Sequence, residues 1–373
     1  MKEKYKNNIF TFFKSNKKYK NTIINLSNLL IIEKIILIFL ISSKLIISKF
    51  KIRKIGVICL NHHQNIGNNL LKYAVFIKLS QLGFKPYLIG KQLYRSNITF
   101  LYQNTNIRII KKFSEIKEKD YEILMVNSDQ TWRKWNKDFY NIAFLKFAEK
   151  WKTHKFVYGT SLGLKKWKYS KNDEKIAKYL LKNFTGISVR EKGSIKVIEK
   201  HLGLKPILVL DPTLLIDKKY YLKIIFNYKN DFNINDNYIF IYKVLNSEPM
   251  NKFIEKASIE LNYKIYNVDR HKNDYVQKFL YGIYHCKAVI TNSFHATLFS
   301  IIFNKPFISF KLSNDERLKS LNELFGFYGR IIEYDKTPNI TLLKKPLIIN
   351  RILLNSLKII SNNFLKKNLN YGR

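Results

Sequence analysis

Short apolar runs, too brief for helices, recur along this chain, and several are followed by a polar loop and a stretch of helical periodicity. The first, Ile55-Gly56-Val57-Ile58-Cys59-Leu60, is continuous and reads as a strand buried on both faces. Beyond it, Leu71, Val75, Leu79 and Leu82 recur at helical spacing over Asn68 to Leu82, and Gly83 closes the helix. Lys85 to Ile89 returns to strand. Ile123 to Val126, Phe156 to Tyr158, Gly186 to Val189 and Pro206 to Leu210 repeat the strand signal. Parallel strands need helical crossovers that cover the sheet, so this alternation predicts an α/β fold with a doubly wound parallel sheet.

A polar, Asn-rich stretch from Asp217 to Asn237 then separates a second series: Tyr238 to Tyr242, Tyr263 to Val268, Ala288 to Thr291, a helix from about Ala296 to Phe303, and Phe307 to Phe310. At 373 residues the chain exceeds the roughly 250–300 at which single cores stop growing. Two domains are therefore expected, 51–218 and 219–340. An N-terminal extension, 1–50, precedes them, and a helix with a basic tail, 341–373, follows. The tail helix shows Ile349, Leu353, Leu357 and Ile360 at helical spacing. Two such sheets imply a cleft between them, with ligands at the carboxyl ends of the strands.

Composition narrows the class. Hydrophobic residues at 46% and charged residues at 25% are ordinary for a globular chain. The formal charge of +40 suits polyanions or an anionic membrane. The basic residues are nonetheless spread along the chain, and Lys, Ile and Asn dominate throughout, in the manner of codon bias. No nucleic-acid module is recognisable, so nucleic acid is not an expected partner. Cys59 and Cys286 lie far apart inside apolar runs, and no Cys/His cluster has metal-ligand spacing. A reducing, cytoplasmic setting without a metal is expected. Residues 23–49 are apolar but broken by Glu33, Lys34 and Lys44, too interrupted for a membrane span. They read as an interfacial helix with peripheral membrane contact at the inner face, or as a helix docked on the protein's own core.

Candidate functional residues gather after strands. The loop Asn61-His62-His63-Gln64-Asn65-Ile66-Gly67-Asn68-Asn69 leads into a helix and offers Asn65, Gly67 and Asn68 to an anion or to sugar hydroxyls; an N-capped turn is the plain alternative. Asn127-Ser128-Asp129-Gln130-Thr131-Trp132 offers a carboxylate, an amide and an indole, a set suited to a sugar, or else an Asp cap beside a core Trp. Arg190, after Gly186 to Val189, suits bidentate contact with a carboxylate or phosphate, or pairs with Glu191. Asp211-Pro212-Thr213 reads first as a turn and cap. In Thr291-Asn292-Ser293-Phe294-His295-Ala296, His295 sits at a strand-to-helix junction, suited to act as acid or base or to hydrogen-bond a phosphate, unless it is a satisfied structural histidine.

Taken in order, these segments resemble the polysaccharide pyruvyl transferase family across roughly residues 53–330. The family's opening strand, Asn-x-Gly loop and helix ending in Leu-Gly are met by Gly56 to Gly83. Gly-Ser-Asp-Gln-x-Trp is met by Asn127 to Trp132, Ser-x-Arg-Glu by Ser188 to Glu191, Asp-Pro-Thr-Leu-Leu by Asp211 to Leu215, and Thr-Asp-Ser-Phe-His-Gly by Thr291 to Ala296. Asn127, Asn292 and Ala296 replace Gly, Asp and Gly of the pattern, and Ser293-Phe294-His295 stands where other members carry Arg-Leu-His. The resemblance implies two facing Rossmann-like domains of glycosyltransferase-B-like build, an acceptor side before a donor side. It also implies phosphoenolpyruvate as co-substrate, no cofactor or metal, and a pyruvate ketal on a lipid-linked or polymeric glycan. On this reading His295 and Asp129 are catalytic. Arg190, Ser293, Lys311 and Arg317 hold the donor, and Asn65, Gly67, Asn68, Gln130 and Trp132 the acceptor. A nucleotide-sugar glycosyltransferase and a non-catalytic glycan- or membrane-binding member are the alternatives.

Overall fold

The computed structural model describes residues 53–59, 65–90, 95–110, 112–127, 129–133, 139–163, 167–228, 237–268, 274–312 and 315–370. Its strands are apolar enough to be buried on both faces, and every ladder between them is parallel. The first sheet is built from β1 (Arg53–Ile58), β2 (Phe84–Ile89), β3 (Arg108–Ile110), β4 (Ile123–Val126), β5 (His154–Thr160), β6 (Gly186–Val189) and β7 (Ile207–Leu208), in the order β3-β2-β1-β4-β5-β6-β7. The second contains β8 (Tyr238–Tyr242), β9 (Lys264–Asn267), β10 (Ala288–Thr291), β11 (Phe307–Lys311) and β12 (Ile331–Glu333), in the order β12-β11-β10-β8-β9. Both belong to one unit, Arg53–Arg373. In each sheet the strand order reverses beside a central strand, next to β1 in the first and between β8 and β10 in the second. Ligands of open α/β sheets bind at such points.

The crossovers are α1 (Ile66–Gln81), α2 (Arg95–Asn104), α3 (Phe139–Phe144), α4 (Lys171–Leu181), α5 (Lys192–Leu202), α6 (Lys219–Phe226), α7 (Glu248–Leu261), α8 (Tyr275–His285), α9 (Phe294–Ile302) and α10 (Glu316–Phe325), with α11 (Arg351–Leu369) closing the chain. Caps set their starts. Asn65 Oδ1 accepts from Asn68 N at 3.1 Å, so α1 begins two residues before its periodic leucines suggest. Ser293 caps α9 in the same way, which moves that helix forward to Phe294.

Sequence periodicity missed β3 and β12, three-residue edge strands too short to show a pattern. It also treated Asp217 to Asn237 as a linker, whereas α6 forms there because Tyr221, Ile224 and Ile225 recur on one face and are buried. The last helix, α11, returns to the first sheet. Phe364 packs against Phe156 and Tyr158 with ring centroids 6.3 and 6.1 Å apart, Ser361 Oγ accepts from Leu210 N at 2.9 Å, and Arg53 Nη1 donates to Leu369 O at 2.7 Å. Cys59 and Cys286 are free and buried, as their apolar settings suggest. Among the described residues no helix is long and apolar enough to cross a membrane. The expectation for residues 1–50 lies outside the described residues.

Candidate active site

Parallel strands place their carboxyl ends along one edge of a sheet. The residues just beyond β4, β6 and β7 therefore stand near one another, as do those beyond β10 and β11. The structure joins these two groups. Arg190, after β6, donates through Nη2 to Asp129 Oδ1, after β4, and through Nη1 to Asp211 Oδ2, after β7. Arg317, in the first turn of α10, donates through Nη1 to Asp129 Oδ1 and Oδ2 at 3.0 and 2.9 Å, crossing from the second sheet to the first. It also holds Asp315, Nη2 to Oδ2 at 2.8 Å. Asp211 Oδ1 accepts from Thr213 N and Oγ1 at 3.0 and 2.7 Å, so the aspartate is both a turn cap and an ion-pair partner. The Phe294 ring lies under both guanidiniums, 4.9 Å from Arg190 Cζ and 5.3 Å from Arg317 Cζ.

His295 ends this chain of charges. Its Nε2 lies 3.8 Å from Asp211 Oδ2 and has no hydrogen-bond partner among the described residues. The ring is 4% exposed. Burial pushes its pKa below the ordinary 6.5; Asp211 and Asp129 oppose that shift, while Arg190 and Arg317 reinforce it. The imidazole also sits in the first turn of α9 and against the first turn of α1, and the positive ends of both helices disfavour imidazolium. A neutral ring results, with one nitrogen able to accept a proton.

The approach of α1 depends on Gly67. A Cβ at Gly67 would stand 2.0 Å from His295 Nδ1. Gly67→Ala is therefore expected to displace the imidazole, costing about 1–3 kcal/mol by overpacking and a larger fraction of turnover. Urea unfolding and kcat measured on the one variant would check both, and wild-type kcat would show that the ring need not be held there.

Several assigned roles need correction. Asp129, expected to be catalytic, accepts guanidinium N–H bonds at both oxygens and ties the two sheets together instead. Arg190, expected to hold the donor, is engaged by Asp129 and Asp211 through its terminal nitrogens, while its buried Nε has no hydrogen-bond partner among the described residues. Trp132, proposed to stack on a sugar, is fully buried in the core of the first sheet, donating Nε1 to Ala143 O at 3.1 Å and packing on Phe144. Trp132→Phe should lose that bond and about 1–2 kcal/mol of stability with kcat intact; a changed kcat would return the indole to the site. Ser293 serves as a helix cap, and Lys311 Nζ lies 2.9 Å from Glu333 Oε1 on the neighbouring strand. Asn65 is likewise a cap, and Asn68 is buried in the first turn of α1. Gln130 lies in the left-handed region at φ 47°, its Oε1 accepting from Arg133 Nη1 at 2.8 Å. Asn61 to Gln64 and Ser128 lie outside the described residues.

Arg133 was missed. It is half-buried near Arg317, Asp129 and Asp315, and burial followed by Arg317 lowers its pKa. With it, three arginines balance Asp129, Asp211 and Asp315. Among the described residues no trio of His, Cys, Asp or Glu is placed to hold a metal ion.

A two-sheet α/β protein with a buried ionic site joining the carboxyl ends of both sheets belongs to the glycosyltransferase-B-like class, with two Rossmann-like domains. The sequence model described as polysaccharide pyruvyl transferase matches residues 65–314, and the chain belongs to that family. No curated protein matches it. Among solved structures it is similar to UDP-GlcNAc 2-epimerase from Neisseria meningitidis bound to UDP-GlcNAc, at 12% identity and TM-score 0.52 over 84% of this chain and 100% of that one. UDP-N-acetylglucosamine 2-epimerase from Rickettsia bellii is comparable, at 12% identity and TM-score 0.50 over 86% and 97%. At such identities the likeness is one of fold.

Proposed function

We propose that the protein transfers a pyruvyl group from phosphoenolpyruvate to two hydroxyls of one sugar in a cell-surface glycan or its lipid-linked precursor, at the inner face of the membrane. The observation that carries this reading is the buried, neutral His295, set between two helix N-termini beside a network of fixed guanidiniums.

The reaction moves two protons. Protonation of the donor's methylene carbon makes an oxocarbenium-like centre, to which the first sugar hydroxyl adds, releasing its proton. Phosphate then leaves, taking a proton, and the second hydroxyl closes the ketal and releases its own. The two hydroxyl protons thus replace those delivered to carbon and to phosphate. A group that accepts at one stage and donates at the next is needed, and a histidine neutral at rest suits that part. Asp211, 3.8 Å from Nε2, favours the imidazolium as it forms. The first-turn amides of α1 and α9 supply N–H groups for phosphate oxygens, while Arg133, whose Nη1 meets the neutral amide of Gln130, supplies positive charge for the carboxylate.

The experiment is phosphate release from phosphoenolpyruvate by the purified protein with a panel of free and lipid-linked hexoses, run alongside thermal stabilisation by donor. A ligand that binds the native state raises the melting temperature as its concentration passes the dissociation constant. Acceptor-dependent phosphate release supports the proposal. Stabilisation by a nucleotide-sugar, with none by phosphoenolpyruvate, would replace it with a glycosyltransferase.

A further inference from the structure

The closing helix has a surface that its packing does not explain. Between residues 336 and 373 there are eight Lys or Arg and no Asp or Glu. One stripe of α11, through Leu357, Phe364, Leu365 and Leu369, is buried. The opposite stripe carries Ile352 and Ile359, seven residues apart and so on one line of the helix, exposed at 83% and 60%. Ile348, just before the helix, is 87% exposed, and it lines a groove together with Lys345 and with Tyr328, itself 78% exposed. Flanking that stripe, Arg351 and Lys358 each stand one residue, about 100° round the helix, from Ile352 and Ile359, and with Lys218, Asp217, Ile301 and Leu354 they line a cavity of about 420 Å³.

We propose that this face of α11 is a docking surface for an anionic lipid bilayer, with Ile348, Ile352 and Ile359 entering the interface and Lys218, Lys345, Arg351 and Lys358 meeting lipid phosphates. Both halves of the surface are then used. A second copy of a chain carrying +40 would be repelled from so basic a face. A polyanionic glycan would engage the cations and leave the isoleucines in water. An anionic bilayer matches apolar residues framed by cations and an exposed tyrosine, as amphipathic interfacial helices do. The proposal does not rest on the proposed reaction.

The test uses the full chain with Ser356→Cys, on the exposed side of α11, labelled with a polarity-sensitive dye; the two native cysteines are buried. Vesicles containing phosphatidylglycerol are expected to blue-shift the dye, while pure phosphatidylcholine vesicles leave it unchanged. Adding Ile352→Asp and Ile359→Asp, at exposed positions that the fold does not need, should weaken the response about tenfold or more. No shift on anionic vesicles, an equal shift on neutral ones, or an undiminished response in the double variant would overturn the proposal. So would a dye response to an anionic polysaccharide that persists when vesicles give none.

Discussion

His295→Ala is expected to lower kcat by about 10²–10⁴-fold, the range a positioned acid–base group contributes, while the far-UV spectrum and melting temperature stay near those of the wild type. The fold is expected to tolerate the change because the imidazole Nε2 has no hydrogen-bond partner among the described residues, so its loss strands no partner of that nitrogen. The wild-type pH profile provides an independent check. The ring's pKa lies below 6.5, so the acid limb of kcat/KM should fall below that value and vanish in the variant. Stability follows the same sign. The unfolded histidine gains its proton near 6.5 and the folded one only at lower pH, so the native state loses stability as pH falls through that window. His295→Ala removes this part of the slope. Near-normal turnover in the variant, or an acid limb above pH 7, would remove His295 from the chemistry.

How much of this was legible in the sequence varies by element. The central strands β1, β4 and β10 contain continuous apolar runs buried on both faces, as β8 does, and a helix of so few residues could not bury its whole circumference. His295, Arg190, Arg317 and Asp129 could be singled out because each stands just past such a run, where parallel sheets collect ligand-facing groups. Their partners could not be. Arg317 reaches Asp129 across 188 positions, and only the packing of the two sheets brings them within a hydrogen bond. Lys311 was read as an anion contact because β12, which supplies Glu333, has three residues and no pattern. Trp132 was placed at the site because it follows Asp129 closely. The left-handed backbone at Gln130 turns the chain back toward the core, a conformation that a non-glycine residue does not announce. Arg133 was hidden in the same loop, and its neighbours Arg317 and Asp315 come from the far sheet.

The largest structural effect is expected at Arg190. Replacing it with methionine keeps most of the volume and leaves Asp129 and Asp211 buried without the guanidinium they share. Breaking such a buried ion pair by removing one partner costs about 3–5 kcal/mol, because the remaining charges stay desolvated and uncompensated. Against the roughly 5–15 kcal/mol that holds a native chain together, that is a large share. Asp129 keeps Arg317 and Asp211 keeps Thr213, so the chain should still fold, with its urea midpoint lowered and its unfolding slope unchanged. The second variant separates charge from packing. Asp211→Asn added to Arg190→Met removes one of the stranded carboxylates, so the double variant should be more stable than the sum of the two single losses predicts, by about 1–3 kcal/mol. Strict additivity would mean that the two side chains do not share a charge balance, and the network would then be a set of separate surface-like pairs. Coupling of that size means instead that Arg190 holds Asp211 in place for His295. Loss of Arg190 should then lower kcat by more than the fraction unfolded, even under conditions where the variant is fully native.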